Sequence, residues 1–223
     1  MAKKKDMGSK PKKPPTPKTV HAWDAPPPPR DGDPDKETVF QAVGEALSAW
    51  EGLEEQFAGI FATLMNPDHP LAAKRAYGSV MSFRGRAELI EAAASAQFFL
   101  RQDEQLSSAL SSQIVTARKF SPRRNEIAHG RVIPYFSMAY GPFGYRTARK
   151  TPSGYVLCPT DHATNKRELN EPRMLLETAH EAPKYAYSSK EVLAFAAHFR
   201  AATDDVREIR FKLFRHVLDT QKS

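Results

Sequence analysis

Apolar residues recur at intervals of three and four through most of residues 36–120, and again after residue 188. Because an α-helix completes a turn every 3.6 residues, this spacing places them on one face of each helix. The longest such stretch predicts a first helix over residues 36–65, with Asp35 as its N-cap. The pattern predicts a mainly α fold, a bundle of four to five helices around one core.

The same spacing predicts the remaining helices. Their expected ranges are 71–81, 82–100, 103–120 and a closing helix over about 188–218. Ser188 and Glu191 have the S-x-x-E spacing of a capping box, so the closing helix should begin there. Glu51, Glu54 and Glu55 lie on or near the apolar face of the first helix. We interpret them as carboxylates at its rim, one of which could face a basic site.

Between about residues 132 and 187 the pattern changes to that of β-strands. Segments 132–136 and 154–158 are rich in β-branched and aromatic residues, and glycine and proline turn signals lie between them. They predict a small antiparallel β-hairpin inserted between helices. Residues 185–187 (Tyr-Ala-Tyr) are expected to add another extended segment.

The basic charge of the chain is concentrated at its N-terminus. The net charge is +7, and residues 1–18 contribute seven lysines and one aspartate to it. The rest of the chain is close to neutral, so any RNA site must be a local patch. Residues 1–35 are rich in lysine and proline without apolar periodicity, and we predict a disordered basic tail ahead of one domain over residues 36–220. Trp23 is its candidate anchor.

Composition restricts compartment and cofactor. Cys158 is the single cysteine, which excludes an intrachain disulfide and fits a reducing cytoplasm. No apolar run approaches the roughly 20 residues of a membrane helix, so we expect no membrane partner. Cys158 with Asp161 and His162 does not complete a metal site. We therefore expect a cytoplasmic protein without metal or cofactor.

One short stretch carries the residue types needed to break a phosphodiester without a metal. Arg124, Asn125 and His129 lie within six residues of one another. An arginine can hold the charge of a phosphate, a histidine can transfer protons, and an asparagine can orient either group by hydrogen bonding. These three residues are our candidate catalytic residues.

Local signals predict a separate two-turn helix for this stretch. Ser121 is a suitable N-cap, Pro122 is favoured at the first helical position, and Gly130 favours termination. Asn125 and His129 are four residues apart and should share one helical face. His129 would then lie at the helix C-terminus, where the macrodipole favours a charged imidazole suited to proton donation.

Four basic residues flank the candidate catalytic residues and form a candidate RNA-binding patch: Arg118, Lys119, Arg123 and Arg131. Phosphate contacts from such side chains supply much of the affinity of proteins for nucleic acid. The alternative interpretation is an ordinary solvated charged face.

The segment Arg124–His129 reads RNEIAH and resembles the R-x4-H motif of the HEPN superfamily, which has a polar residue after the arginine. The order of parts is also similar over residues 36–220. A first helix bearing tryptophan and glutamate precedes two central helices, and the motif and a closing helix follow.

The resemblance implies a helical bundle that forms a homodimer, with two motifs facing each other. It further implies a metal-independent endoribonuclease that leaves 2′,3′-cyclic phosphate ends, often a toxin or phage-defence effector. Arg124 would bind the scissile phosphate, Asn125 would orient groups, and His129 would act as acid and base. The implied partners are RNA, a second copy of the chain, and an antitoxin or regulatory protein.

Two alternatives remain open at this stage. Some members of the superfamily have lost catalysis, so the chain could be a non-catalytic HEPN-like module that binds RNA or a partner protein. On a purely structural interpretation, Arg124 and Glu126 would form surface ion pairs and His129 would only end a helix.

Overall fold

The computed structural model describes residues 19–65, 69–101, 103–135, 138–140, 146–148, 153–160 and 184–221. Within these residues the chain forms five helices, namely α1 Lys36–Met65, α2 Pro70–Ser79, α3 Phe83–Arg101, α4 Glu104–His129 and α5 Ser189–Gln221. They are accompanied by four short strands, namely β1 Arg131–Pro134, β2 Met138–Tyr140, β3 Arg146–Ala148 and β4 Tyr155–Cys158. The predicted mainly α fold with a small antiparallel insertion is confirmed.

The two long helices α1 and α5 pack along one another and form the centre of the core, and α2, α3 and α4 pack around α1. Apolar side chains that α1 and α5 bury almost completely include Val39, Trp50, Phe57, Ile60, Val192, Phe199, Val206 and Leu213. These are positions of the three-and-four spacing, so the predicted faces supply the core. Four apolar residues with the same spacing are nevertheless exposed: Phe40 of α1 and Leu193, Phe211 and Phe214 of α5.

The predicted helix starts are confirmed where a side chain caps the helix. Asp35 accepts a hydrogen bond from the backbone N–H of Thr38 at 2.7 Å, and Asp103 accepts one from Leu106 at 2.9 Å. At the start of α5, the Glu191 carboxylate accepts from the Ser188 backbone N–H at 2.8 Å and from the Ser188 hydroxyl. Each contact satisfies a polar group that the first turn of a helix leaves without a partner.

The prediction of a separate two-turn helix for the motif is wrong. Residues 104–129 form one continuous helix, α4, with Pro122 inside it and Ser121 in mid-helix. The proline removes one backbone hydrogen bond, but Phe120 and Ile127 on either side of it are both buried in the core. Continuing the helix keeps both side chains on the buried face, and this packing outweighs the local start signal.

The predicted hairpin is confirmed as the antiparallel pair β1 and β4, in which Arg131 lies opposite Cys158. Strands β2 and β3 form a second antiparallel pair between them in sequence. The predicted extended segment is also confirmed, because Tyr187 forms an antiparallel bridge with Leu157 of β4. Gly130 is thus the single residue between the end of α4 and the start of the sheet.

The N-terminal segment contacts the domain before α1 begins. Residues 1–18 lie outside the described residues, but residues 19–35 are described and are attached at defined points. Asp33 pairs through its backbone with Tyr155, and its carboxylate accepts from the backbone N–H and the hydroxyl of Ser189, both at 2.6 Å. The boundary that we predicted at residue 35 therefore moves towards the N-terminus.

Trp23 docks on the domain, as its apolar character predicted. Its ring meets Phe120 of α4 edge-on, with 6.1 Å between centroids, and the Lys119 ammonium lies 4.2 Å from its centre. The segment is thus anchored on α4, a little more than one turn before the motif.

No helix among the described residues has the length and apolar character needed to cross a bilayer.

Candidate active site

The motif occupies the last two turns of α4, with one side anchored and the other facing solvent. Ile127 is 1% exposed and packs in the core. Asn125 and His129 are exposed, and the side chain of Arg124 is 30% exposed. The buried anchor fixes the helix, so the three candidate catalytic side chains lie on the accessible surface of a rigid element.

Arg124 is held between two helices. Its Nη1 donates to Oδ1 of Asn125 at 3.3 Å, and its Nη2 lies 3.5 Å from Oε1 of Glu51 on α1. Glu51 is therefore the first-helix carboxylate that faces the motif. The Nε of Arg124 is buried and has no hydrogen-bond partner among the described residues. One N–H group of the Arg124 guanidinium is thus not used in a hydrogen bond to a described residue.

His129 is the last residue of α4 and is exposed. Its imidazole makes no hydrogen bond to another described residue. It shares a helical face with Asn125 and lies about 6 Å further along the helix axis. The structure therefore joins Arg124 and Asn125 directly and sets His129 one turn away, free to contact a ligand.

Gly130 ends α4 where a side chain has no room. A Cβ at this position would lie 2.7 Å from Cγ of Leu157 and 2.9 Å from the carbonyl oxygen of Glu126. Its φ of −74° is open to any residue, so the close approach of β4, and not backbone conformation, accounts for the glycine.

The sequence did not reveal a polar cluster directly behind the motif, which we call the Glu126 cluster: Glu126, Arg123, Tyr185 and Tyr187. The Glu126 carboxylate accepts from Nη2 of Arg123 at 2.9 Å and from the Tyr187 hydroxyl at 2.5 Å. The Tyr185 hydroxyl donates to the backbone carbonyl of Glu126 at 3.1 Å. Glu126 is 13% exposed and pairs with Arg123. The alternative interpretation, in which Glu126 forms a surface ion pair, is therefore wrong for this residue.

Both tyrosines of the Glu126 cluster stay neutral over a wide pH range. Burial, reinforced by the charge of Glu126, raises the pKa of Tyr185 to about 12. Burial also raises the pKa of Tyr187 far above its ordinary value, helped by its hydrogen bond to Glu126. Both hydroxyls therefore remain hydrogen-bond donors at neutral pH.

The four predicted RNA-binding residues differ in how much charge they leave available. Arg118 forms a two-point contact with Glu91, at 2.8 and 2.7 Å, and Arg123 belongs to the Glu126 cluster. Lys119 covers the Trp23 ring and remains exposed, and Arg131 is exposed at the start of β1. Of these four residues, Lys119 and Arg131 are therefore the two whose charge is most available to a phosphate.

A groove of about 370 Å³ lies between α3 and α4, next to the motif. It is lined by Phe83, Arg84, Glu88, Arg118 and Ser121. Arg118 is seven residues before Asn125, two turns of α4, so it lies on the same face as Asn125 and His129. The groove thus extends the motif face along the helix.

Within the described part of the chain, no group of three or more His, Cys, Asp or Glu side chains could hold a metal ion. Asp161 and His162, which we weighed beside Cys158 as metal ligands, lie outside the described residues. Cys158 is buried, and burial raises its pKa to about 11. A thiol in that state is a poor nucleophile and a poor metal ligand at neutral pH.

Comparison of the chain with protein-family models, with curated proteins and with solved structures gives no match. The functional interpretation therefore depends on the motif, its geometry and its chemistry.

Proposed function

We propose that this protein is a metal-independent endoribonuclease of the HEPN type. The observation that carries the proposal is that Arg124 and Asn125 contact each other near the end of α4 and that the exposed His129 follows Asn125 by one turn. The Arg124 guanidinium contacts Asn125 and Glu51, and the His129 side chain is exposed. This is the arrangement that the RNEIAH sequence and its resemblance to R-x4-H motifs imply.

The reaction would use the 2′-hydroxyl of RNA as its nucleophile. A base removes the 2′ proton, a bond forms between O2′ and phosphorus, and the bond from phosphorus to O5′ breaks as an acid protonates the leaving oxygen. Arg124 would stabilise the negative charge that develops on the phosphate. The products are a 2′,3′-cyclic phosphate and a 5′-hydroxyl, and DNA should resist cleavage because it lacks the nucleophile.

A second copy of the chain would complete the site. The reaction uses a base and an acid on opposite sides of the phosphorus, and one motif offers a single histidine, His129. Two facing motifs would supply two histidines and two arginines. We therefore propose a homodimer with paired motifs. Activity as a cytoplasmic toxin or phage-defence effector, restrained by an antitoxin or regulatory protein, is the setting that the resemblance implies.

A non-catalytic HEPN-like module that binds RNA or a partner protein is the second candidate. It is favoured by the pairing of basic residues around the motif, since Arg118, Arg123 and Arg124 each contact a carboxylate. Such pairs leave less free positive charge for a phosphate. Saturable RNA binding without turnover, unaffected by substitution of His129, would support this candidate.

The test is cleavage of labelled single-stranded and tRNA-like RNA in EDTA, with wild-type protein and with His129→Ala. His198→Ala is the matched control, because His198 is also an exposed helical histidine but lies on α5, outside the motif. We expect cleavage by the wild type and by His198→Ala, and none by His129→Ala. Equal cleavage by all three proteins would remove the assignment.

A further inference from the structure

The Glu126 cluster joins the motif to a part of the chain that comes much later in sequence. Tyr185 and Tyr187 follow Glu126 by 59 and 61 residues, and their stacked rings have centroids 5.0 Å apart. Tyr187 is completely buried, and Tyr185 is 6% exposed. Two rigid aromatic side chains therefore converge on one residue in the middle of the motif.

The first contact acts on the backbone of the motif. The last four carbonyl groups of a helix have no regular partner within it, and in α4 the carbonyl of Glu126 is the first of these four. The Tyr185 hydroxyl donates to this carbonyl. Tyr185 thus restrains the turn that carries His129, at the point where helices ordinarily fray.

The second contact acts through the Glu126 side chain. The carboxylate is shared between Tyr187 and Arg123, and Glu126 and Arg123 are each 13% exposed. Charge-assisted hydrogen bonds below the surface are strong and directional. The arginine they fix is the neighbour of Arg124 in sequence, so the start and the end of the motif are restrained together.

The inserted sheet holds the two tyrosines in place. The backbone of Tyr187 exchanges two hydrogen bonds with Leu157 of β4, with N–O distances of 2.8 and 3.0 Å. The Leu157 side chain closes on Gly130, directly after the motif. Sheet, tyrosine pair and helix end therefore form one packed unit.

We propose that Tyr185 and Tyr187 are positioning residues for the reaction of the motif. They fix the last turn of α4, and with it the placement of His129 relative to Arg124, and the inserted sheet is the support that holds them. This inference rests on the ribonuclease function proposed for the motif. It gives the insertion a role: it holds the catalytic helix end from behind and leaves its front open to RNA.

The test compares Tyr185→Phe and Tyr187→Phe with Tyr135→Phe. Each change removes a hydroxyl and keeps the ring. Tyr135 is the matched control, because its hydroxyl donates at 3.0 Å to the Pro29 carbonyl, outside the Glu126 cluster. We expect kcat to fall by about tenfold to a hundredfold in the two cluster variants, since small displacements of reacting groups cost that much, with KM unchanged. The control should keep both constants.

Amide hydrogen exchange of residues 127–130 separates this inference from the ribonuclease proposal. If the wild type cleaves no RNA, the ribonuclease proposal fails, and hydrogen exchange alone then tests whether the two tyrosines fix the end of α4. Faster exchange in the cluster variants than in Tyr135→Phe supports the positioning role, and equal exchange overturns it. If the wild type is active, kcat values of Tyr185→Phe and Tyr187→Phe equal to that of Tyr135→Phe overturn the positioning role. Should Tyr187→Phe fail to fold, Tyr185→Phe alone decides by the same criteria.

Discussion

Glu54 is buried and Glu126 is mostly buried, and each of these two glutamates is bound by an arginine and a tyrosine. Glu54 accepts from Nη1 of Arg86 at 2.8 Å and from the Tyr77 hydroxyl at 3.1 Å. Glu126 accepts from Arg123 at 2.9 Å and from Tyr187 at 2.5 Å. In both places an opposite charge and a neutral donor offset the cost of burying a carboxylate.

The two clusters differ in what they connect. Glu54 lies on α1 and joins Tyr77 of α2 to Arg86 of α3, while Trp50 donates to its second oxygen at 3.1 Å. All of these residues belong to the helical scaffold. Glu126 instead joins the end of α4 to the segment after the inserted sheet. The same polar chemistry therefore holds the scaffold together in one place and, in the other, holds the residues proposed to act on RNA.

The largest expected effect concerns the scaffold cluster. Arg86→Ala leaves the Glu54 carboxylate, 6% exposed, without the one charged partner that it has among the described residues. We expect the free energy of unfolding to fall by about 3 kcal/mol, the usual cost of breaking a buried ion pair. Urea unfolding measures this change. Arg84→Ala is the control, since its pair with Glu88 is exposed and should contribute about 0.5 kcal/mol. Equal losses of unfolding free energy in Arg86→Ala and Arg84→Ala would show that burial does not strengthen the Glu54–Arg86 ion pair.

The next prediction separates the two clusters by function. Tyr77→Phe and Tyr187→Phe each remove one hydroxyl from a buried carboxylate, so each should lower the free energy of unfolding by about 1 to 2 kcal/mol. Only Tyr187→Phe should also lower kcat for RNA cleavage, because the Tyr77 hydroxyl donates to Glu54 of α1 and not to a residue of the motif. Turnover is measured where both variants are fully folded. An equal loss of kcat in Tyr77→Phe would show that the two clusters do not differ in their effect on RNA cleavage.

Alkaline pH should weaken the Glu126 cluster through its tyrosines. The pKa of Tyr185 is raised from 10.0 to about 12 on folding, so the folded state holds this proton more tightly than the unfolded state. Its contribution to stability is complete below pH 10 and is lost as the pH rises towards about 12. Urea unfolding of the wild type between pH 9 and 11.5 should show falling midpoints. The decline should be shallower in Tyr185→Phe, and an identical decline would contradict this role.

The smallest expected effect is in the reactivity of Cys158, which reports on local opening of the sheet. With a pKa of about 11, about one thiol in a thousand is ionised at pH 8, so reaction with a disulfide reagent should be slow in the folded protein. Tyr187→Phe loosens the segment that pairs with β4, and we expect severalfold faster modification there than in Tyr77→Phe. Identical rates would show that the two clusters do not differ in local stability.

Local features of the fold were predictable from sequence. The first helix begins and ends at the predicted residues, Lys36 and Met65, because its apolar spacing and its cap at Asp35 act over a few positions. The pairing of β1 with β4 was predictable because strand composition and turn signals lie close together in sequence. The three candidate catalytic residues could be named from their chemistry alone.

Features that depend on distant contacts were not predictable. The start signal at Ser121 and Pro122 is genuine locally, but burial of Phe120 and Ile127 overrides it and extends α4 through the motif. Glu54 was expected at the rim of its helix and is instead buried, because its partners come from two other helices. The Glu126 cluster depends in the same way on tyrosines that lie beyond the insertion.

We propose that the motif cleaves RNA by attack of the 2′-hydroxyl, with His129 transferring protons. The most direct measurement uses an end-labelled RNA oligonucleotide, cut in EDTA by the wild type and by His129→Ala, beside the same RNA with one 2′-deoxynucleotide at the cleaved position. We expect a 2′,3′-cyclic phosphate product from the wild type, no product from His129→Ala, and no cleavage at the deoxynucleotide. Cleavage of the deoxy-substituted position, or equal cleavage by His129→Ala, would contradict it.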